Sequence, residues 1–364
     1  MATATVNTLS RLRVTELKNL ALYCGLPRTG TKPELVQRLQ AAQSAATPAV
    51  QPTTSPDPVV LSIDLGIRNF AFSLMTLAPS AVSTSRTKEK KQKDKKTQSL
   101  ILESTPRSPV AIKLHSWQRL SLLEPSGGLL SQVEDQDEPS LKPDAPDFSP
   151  PALAKMANTF LRDTVLRLNP LPTHILIERQ RWRTLGGSSI LEWTLRVNTL
   201  EAMLHASLQT LRDVGIWKGE VESVQPRSIA QLFLETDESK LKDTENLSGN
   251  IDDSDESAGK KSRGTKTAAS RNHALYLKKK GVKIDLLRQW LHEHDDIVQP
   301  QTPEAQQMLE MYQKAPTGKG RKKEPKVDTK LDDITDSLLQ GIAWLRWREN
   351  RAQLSRHGPE RLLD

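Results

Sequence analysis

Residues 58–77 contain the feature that most restricts the fold, two apolar strands that follow each other closely. PVVLSIDLG (58–66) is a β-branched, apolar run that ends in an acid and a glycine, and NFAFSLMTL (69–77) follows almost at once. Such runs, joined by a tight turn through Gly66 to Asn69, are typical of paired strands. The chain should therefore begin its main domain with a β-hairpin.

The segments after this hairpin alternate between strand and helix. Further strand signals occur at 112–120, 173–183 and 221–226. Apolar residues recur at helical spacing in 151–168, 190–214, 228–235, 273–291 and 332–350. Gly281 divides the segment 273–291 into two helical ends. Three early strands followed by this alternation predict an α/β fold on a sheet of mixed strand directions.

Composition divides the chain into a small N-terminal module and a larger domain. Residues 1–43 are expected to form a helical hairpin, with Gly25 as a helix stop and Thr31 with Glu34 as a capping box. A module of this size buries too little surface for a sizeable core, so we expect an accessory DNA tether. The remaining predicted boundaries are a linker at 44–57, a domain at 58–350 and a tail at 351–364. Disordered inserts are expected near 80–110, 124–150, 236–270 and 315–328.

The charge balance favours an anionic partner. The formal net charge is +8, which suits nucleic acid, although a solvated lysine-rich surface would also explain it. Cys24 is the single cysteine, so neither a disulfide framework nor a cysteine zinc site can form within one chain. No stretch approaches the roughly 18 apolar residues of a membrane span. The expectation is a nucleic-acid partner and no membrane partner.

Acidic residues stand at three positions where packing alone would not place them. Asp64 and Glu178 each end an apolar strand, and Asp332, Asp333 and Asp336 open the last long helix. A buried charge needs a partner or a metal. Each position has a plain alternative: a turn former at Asp64, surface pairing with the following arginines at Glu178, and helix-dipole preference for the helix acids. The occurrence of acids at all three positions together indicates a functional site.

Helix geometry makes the third acidic group coherent. At about 100° per residue, the three aspartates share an arc that lies apart from the apolar stripe of the same helix. Hard carboxylate oxygens suit Mg²⁺ or Mn²⁺. Two such ions about 4 Å apart can activate a water and stabilise the leaving 3′ oxygen of a phosphodiester. The sequence therefore predicts a two-metal nuclease.

Several basic and polar residues near these acids are candidates for DNA binding. Arg68 and Asn69 follow Asp64 in the tight turn, and a basic run follows Glu178. Trp182 could stack on an unpaired base, with core packing as its alternative. Asn69 could be a plain turn residue and the basic run a solvated loop. The full set of candidates is Arg68, Asn69, Gln180, Arg181, Arg183 and Lys330, with Arg28, Lys32 and Arg38 in the N-terminal hairpin.

Four segments together resemble a known family. IDLGIRN (63–69), IERQRWR (177–183) and LDDITDSLLQGIAWLRW (331–347) are similar to the three motifs of the fungal mitochondrial Holliday junction resolvases. These are relatives of the bacterial RuvC resolvase within the RNase H-like superfamily. Residues 12–39 resemble a SAP motif, a DNA-binding helical hairpin that also occurs in this family. The resemblance covers about 60% of the chain and fails in the inserts.

The resemblance implies a specific fold and activity. The fold would be an RNase H-like mixed sheet flanked by helices, with a small SAP-like hairpin in front. The protein would be a homodimer that makes symmetric, Mg²⁺-dependent cuts in four-way junction DNA. Asp64, Glu178 and Asp336 carry over as metal ligands. The RuvC pattern, with two acids three residues apart, adds Asp333, while a spacing of four would choose Asp332.

Two other functions and two locations remain open at this point. The chain could be another RNase H-like nuclease, acting on RNA–DNA hybrids or branched DNA, or a non-catalytic DNA-binding protein that uses its SAP hairpin. The family implies a mitochondrial location. The lysine run KEKKQKDKK (88–96) is the competing feature, since such runs can act as nuclear signals.

Overall fold

The computed structural model describes residues 8–46, 57–78, 105–123, 146–180, 191–234, 268–294, 296–315 and 331–363. In chain order the strands are β1 (Val60–Asp64), β2 (Phe70–Leu77), β3 (Ile112–Leu120), β4 (His174–Glu178), β5 (Glu220–Val224) and β6 (Val298–Pro300). The helices labelled here are α1 (Val14–Tyr23), α2 (Lys32–Ala46), α3 (Pro150–Asp163), α4 (Glu192–Asp213), α5 (Pro226–Phe233), α6 (Ala268–Glu293), α7 (Pro303–Lys314), α8 (Leu331–His357) and α9 (Glu360–Leu363). A 3₁₀ turn covers Val165–Arg167, and residues 8–11 form one short helical turn.

One six-stranded sheet organises the larger domain. Its strand order is β5-β4-β1-β2-β3-β6. Strand β2 is antiparallel to β1 and to β3, whereas β4 is parallel to β1, β5 to β4, and β6 to β3. Only β2 therefore runs against the others. This confirms the predicted α/β fold with a mixed sheet and the predicted hairpin at its start.

Helices cover both faces of the sheet, and side-chain alternation along the strands divides the core accordingly. Ile63 and Ile177 belong to an apolar cluster that packs under α3 and α4. Leu176 and Met75 belong to a second cluster, on the other face, formed with α5, α6, α7 and α8. Successive side chains of a strand point to opposite faces. The continuous apolar runs in the sequence thus reflect strands that are buried on both sides.

Helix α8 crosses the second face in close contact with the sheet. The indole Nε1 of Trp117 donates to the carbonyl of Ile334 at 2.8 Å, and Ser73 Oγ donates to the carbonyl of Ser337 at 3.0 Å. Gly341 lies where helix and sheet are closest. A Cβ at this position would come within 2.4 Å of Met75 Cε. The glycine lets the helix approach the strands, and this approach positions the acids at its N-terminal end.

The N-terminal hairpin packs on the far end of the same helix. Leu17, Leu20 and Leu35 share a buried cluster with Leu354 of α8 and Leu362 of α9. Both predicted local signals are present. Gly25 has a positive φ of 65° at the end of α1, and the Thr31 amide donates to Glu34 Oε2 at 2.7 Å.

Several predicted boundaries differ from those of the structure. Helix α2 extends to Ala46, into the predicted linker. The predicted tail is the end of α8 together with α9, because its leucines pack against the hairpin. Residues 105–110, assigned to an insert, are held by Arg346, whose Nη2 donates to the carbonyl of Pro109 at 3.1 Å. The other predicted inserts lie mostly outside the described residues.

Two further differences concern helices and strands. Helix α6 continues through Gly281, where a glycine costs only about 1 kcal/mol relative to alanine. The pair β6 and α7 was not predicted. Strand β6 has only three residues and depends on pairing with β3. No helix within the described ranges is long and apolar enough to span a bilayer.

Candidate active site

Strands β1 and β4 bring two acids together at one edge of the sheet. Ile63 pairs with Ile177 in parallel register, so the next residues along, Asp64 and Glu178, are adjacent. The side chains of Ser62 and Leu176 face α8. Asp64 and Glu178 each follow one of them by two residues, so their side chains point to the same face of the sheet. The sequence predicted strand ends at both acids, and the structure confirms that placement.

Gln340 of α8 ties these two strands together just behind the acids. Its side-chain Nε2 donates to the carbonyl of Ile63 at 3.2 Å and to the carbonyl of Leu176 at 3.4 Å. The residue is buried. Because each strand carbonyl precedes an acid by one or two residues, Gln340 fixes the spacing of the two acids and their distance from the helix.

The first turns of α8 add further carboxylates. Burial raises the pKa of Asp64 well above its usual range, and the charge of Glu178 and a hydrogen bond to it raise this pKa further. The charges of Asp336 and Asp333 act on Asp64 in the same direction. Asp332 is not among these groups. The structure thus groups Asp64 electrostatically with two acids three residues apart on α8.

The contact between Asp64 and Glu178 has a chemical consequence. Two carboxylates can form a hydrogen bond only if one of them carries a proton. Crowded negative charges stay ionised only when cations neutralise them. The site therefore has two ways to satisfy its charge, a shared proton or bound cations.

Lys283 of α6 is a site residue that the sequence analysis missed. Its Nζ lies 2.6 Å from Asp336 Oδ1, and the two side chains are only 22% and 25% exposed. A partly buried pair is screened less by solvent than a surface pair. Lys283 lies 53 residues before Asp336 in the chain, in a lysine-rich stretch that reads as a solvated helix surface. Only the packing of α6 on α8 distinguishes Lys283 from the other lysines of that stretch.

The oxygen donors of the site suit a hard divalent cation. Among the described residues, no three His, Cys, Asp or Glu side chains converge as closely as a bound ion requires. Asp64 and Glu178 instead contact each other, and Asp336 contacts Lys283. The chemistry of the donors, carboxylate oxygens from β1, β4 and α8, fits Mg²⁺ or Mn²⁺.

The predicted DNA-binding residues of the larger domain have different environments. Arg68 is exposed in the β1–β2 turn, and Asn69 beside it is half-buried. The backbone amide of Gln180 donates to Glu201 Oε2 at 3.2 Å, which braces the chain as it leaves β4. Arg181, Trp182, Arg183 and Lys330 lie outside the described residues.

In the N-terminal hairpin, Arg38 braces the loop that joins the two helices. Its Nη1 donates to the carbonyls of Pro27 and Thr29. Arg28 and Lys32 are half-buried at the same loop, and Gly30 has a positive φ of 117°. The loop conformation that would present Arg28 and Lys32 therefore depends on Arg38.

The sheet and the acids define a class of protein. Strand order β3-β2-β1-β4-β5 with only β2 reversed, together with acids on β1, β4 and a C-terminal helix, is the RNase H-like arrangement. Residues 60–354 match the family model described as mitochondrial resolvase Ydc2 / RNA splicing MRS1, and the chain belongs to this family. Residues 8–43 match the SAP domain. The predicted family and the SAP module are both confirmed.

One relative and one solved structure are similar to this chain. One is the mitochondrial cruciform cutting endonuclease 1 of Schizosaccharomyces pombe, which is 28% identical over 198 residues. The matched segment spans 54% of this chain and 56% of that relative. The other is the crystal structure of the yeast mitochondrial Holliday junction resolvase Ydc2, with a TM-score of 0.53 at 20% identity. That match covers 96% of this chain and 98% of the other, and it shows that the fold is shared.

Proposed function

We propose that this protein is a divalent-metal-dependent endonuclease that resolves four-way DNA junctions. The observation that carries the proposal is the grouping of Asp64 on β1 with three further carboxylates, one on β4 and two on α8, which together raise the pKa of Asp64. Family membership supports the same function, since the family description names a mitochondrial resolvase and the relative from Schizosaccharomyces pombe is named for cutting cruciforms. Net charge of +8 suits a DNA substrate.

The proposed ligands are Asp64, Glu178, Asp333 and Asp336. When bound, two Mg²⁺ or Mn²⁺ ions would supply activation of the attacking water and stabilisation of the leaving 3′ oxygen. Metal binding would require both Asp64 and Glu178 to be ionised, because hard divalent cations bind the carboxylate form. Without bound metal ions, the ion pair between Lys283 and Asp336 limits the repulsion between the acids.

Asp332 is the alternative to Asp333, and electrostatics favour Asp333. The charge of Asp333 raises the pKa of Asp64, as the charge of Asp336 does. Helix geometry does not separate the two, because Asp332 and Asp333 lie four and three residues from Asp336 and both share its face. The preference for Asp333 therefore rests on its effect on Asp64. Asp332 is left with the helix-dipole role.

Substrate binding would involve both parts of the chain. Arg68 in the exposed β1–β2 turn and the chain from Gln180 to Arg183 follow the two strand-end acids directly, which suits contacts to the cut strand. Arg28 and Lys32 of the SAP domain would contact phosphates further away. A four-way junction has two equivalent strands to cut, and one carboxylate site cuts one strand at a time, so the proposal includes a homodimer.

The proposed location is the mitochondrion, since the family description names a mitochondrial resolvase and the relative from Schizosaccharomyces pombe is named as mitochondrial. The competing lysine run at 88–96 lies outside the described residues. A fluorescent fusion of the full chain should accumulate in mitochondria, and retention in the nucleus would contradict this location.

The decisive experiment compares substrates of identical sequence. Purified protein with Mg²⁺ should cut a synthetic four-way junction in preference to the linear duplex. Asp64→Asn should retain junction binding and lose cutting, while Asp332→Asn serves as the matched control with the same loss of one charge. Equal cutting of junction and duplex would leave a nuclease but remove the resolvase.

A second function has one specific observation in its favour. The family description also names RNA splicing. An RNA–DNA hybrid and a structured RNA should therefore be included in the same assay. Preferred cutting of the hybrid would indicate another RNase H-like nuclease, and RNA binding without cutting would indicate a non-catalytic role. The carboxylate grouping favours the junction nuclease over a non-catalytic role in RNA binding.

A further inference from the structure

Arg119, which the sequence analysis did not single out, lies on the same edge of the sheet as the acids. Ala71 of β2 pairs with Asp64 on one side and with Arg119 of β3 on the other. Neighbouring strands are about 4.8 Å apart, so the Cα atoms of Asp64 and Arg119 are separated by about 10 Å. Both residues stand at the carboxyl ends of strands that run in the same direction.

Arg119 also points to the same face of the sheet as the acids. Residues directly opposite each other on paired strands share a face. Ala71 belongs to the apolar cluster under α8, and so does Trp117, two residues before Arg119. Leu120, the next residue, belongs to the cluster on the other face. The guanidinium therefore lies on the α8 side, at the edge where the carboxylates open to solvent.

One nitrogen of this guanidinium has no acceptor in the described part of the chain. Nη1 of Arg119 is buried and has no hydrogen-bond acceptor within the described residues. Arg351, another partly buried arginine, does find an acceptor, since its Nε donates to the carbonyl of Cys24 at 2.7 Å. Arg28 Nε and Arg288 Nε are also buried without an acceptor among the described residues, so it is the location beside the carboxylates that distinguishes Arg119. A buried N–H group without an acceptor is costly. Such a group fits an acceptor that arrives with a ligand.

Arg348 shows that position decides what such a group can do. Its Nη1 is likewise buried without an acceptor in the described part of the chain. However, its charge acts on His174, the first residue of β4, at the opposite edge of the sheet. Arg348 is thus a natural comparison, with the same chemistry far from the carboxylates.

We propose that Arg119 is a positioning residue that binds a backbone phosphate of the DNA strand being cut, about 10 Å from the scissile phosphate. This inference rests on the proposed nuclease function. A guanidinium presents several N–H donors that match phosphate oxygens. Successive phosphates of one strand are farther apart than the axial rise of about 3.4 Å, so a phosphate about 10 Å away lies within about two nucleotides of the cut. Arg119 would align the strand across the end of the sheet while the carboxylates act on the scissile bond.

The first test measures junction binding with the full chain, in EDTA, so that no cutting occurs. Arg119→Gln should weaken binding about tenfold, since hydrogen bonds to charged groups are the strong ones. It should also reduce the slope of log K against log salt by about one. Arg348→Gln removes the same charge and should change affinity less than twofold. Equal losses in the two variants would overturn the proposal.

The second test locates the phosphate. Junctions carrying one neutral methylphosphonate at each position of the cut strand are compared in wild type and Arg119→Gln. One position, within about two nucleotides of the cut, should weaken wild-type binding and have no further effect in the variant. If every methylphosphonate weakens both proteins equally, Arg119 does not bind the backbone. A purely structural role would produce no such position.

Two controls keep the outcomes separate. If the melting temperature shows that Arg119→Gln is misfolded, Arg119→Lys replaces it, and the methylphosphonate effect should shrink at the same position. An unchanged pattern in Arg119→Lys would then contradict the proposal. Failure of the wild-type protein to bind junctions at all would contradict the proposed function itself. Binding without cutting in Mg²⁺ would remove only the nuclease and leave the Arg119 test intact.

Discussion

The raised pKa of Asp64 makes stability depend on pH. Because the folded state raises the pKa of Asp64, folded protein binds the Asp64 proton more tightly than unfolded protein does. The resulting stabilisation is complete below the unfolded pKa near 4 and is lost as pH rises through the folded pKa. Without divalent ions, the acids should therefore destabilise the protein at neutral and alkaline pH.

Asp64→Asn tests this electrostatic strain. In EDTA the variant should melt at a higher temperature than wild type at pH 8, and the two should converge toward pH 4. The expected gain is a few degrees, since each tenfold change in proton affinity is worth about 1.4 kcal/mol and about 1 kcal/mol shifts Tm by about 2–4 °C. Calorimetry from pH 4 to 8 measures the effect. A lower Tm at pH 8 would show that Asp64 is stabilising as a carboxylate.

Lys283 makes the opposite contribution at the same site. Lys283→Met should leave Asp336 without its cation next to other acids, and the expected loss is about 1–3 kcal/mol, discounted for partial exposure. The loss should be larger in EDTA than in Mg²⁺. Lys314→Met, which breaks the exposed pair with Glu310, should leave Tm unchanged and is the control. Equal losses of stability with and without Mg²⁺ would show that Lys283 does not offset the charge of the carboxylate site.

At the scale of elements, the first turns of α8 decide which aspartates act. Asp333→Asn should reduce cutting at least a hundredfold, because it removes a carboxylate that acts on Asp64. Asp332→Asn should retain cutting within a few-fold. Single-turnover rates at saturating junction measure both, with circular dichroism to verify folding. The reverse order of activities would assign the ligand role to Asp332.

Individual elements show how much the sequence could reveal. Strands β1, β2, β3 and β4 were predicted because each is a compact apolar run with clear ends, and an acid at such an end is rare enough to mark a site. Helix α7 was missed although Thr302 caps it, with its side chain accepting from the Ala305 amide at 3.1 Å. That Thr-Pro-Glu signal could have been read from the sequence.

Other parts of the site depend on tertiary contacts that no local pattern encodes. Lys283 reaches Asp336 only because α6 packs on α8, and Arg119 faces the acids only through the register of β1, β2 and β3. Gln340 reads as one polar residue in a helical segment, yet it bonds to two strands. The sequence thus predicts residues whose local context is unusual, and it misses residues whose context becomes unusual only after folding.

At the scale of the whole molecule, α8 connects the SAP hairpin to the carboxylates. Asn350 Nδ2 donates to the carbonyl of Tyr23 at 2.7 Å and to that of Pro106 at 2.9 Å. Gln43 Nε2 donates to the carbonyl of Leu354 at 3.2 Å. Asp336 and Asn350 are 14 residues apart on one helix, or about 21 Å at 1.5 Å per residue. The hairpin is therefore packed at a set distance from the site, in contrast to the independent tether expected from its size.

This packing predicts that the hairpin contributes to cutting as well as to binding. Asn350→Ala removes a buried side chain and leaves two partly buried carbonyls without their donor, which should cost about 1–3 kcal/mol and loosen the hairpin from α8. A tether would then lose affinity only, because its effect is on local concentration. A hairpin that aligns the DNA arm should also lower the single-turnover rate at saturating junction, by about tenfold if 1.4 kcal/mol of alignment is lost. Asn158→Ala, at an exposed position of α3, is the matched control. A normal rate at saturation, with only the affinity reduced, would return the hairpin to the role of a tether.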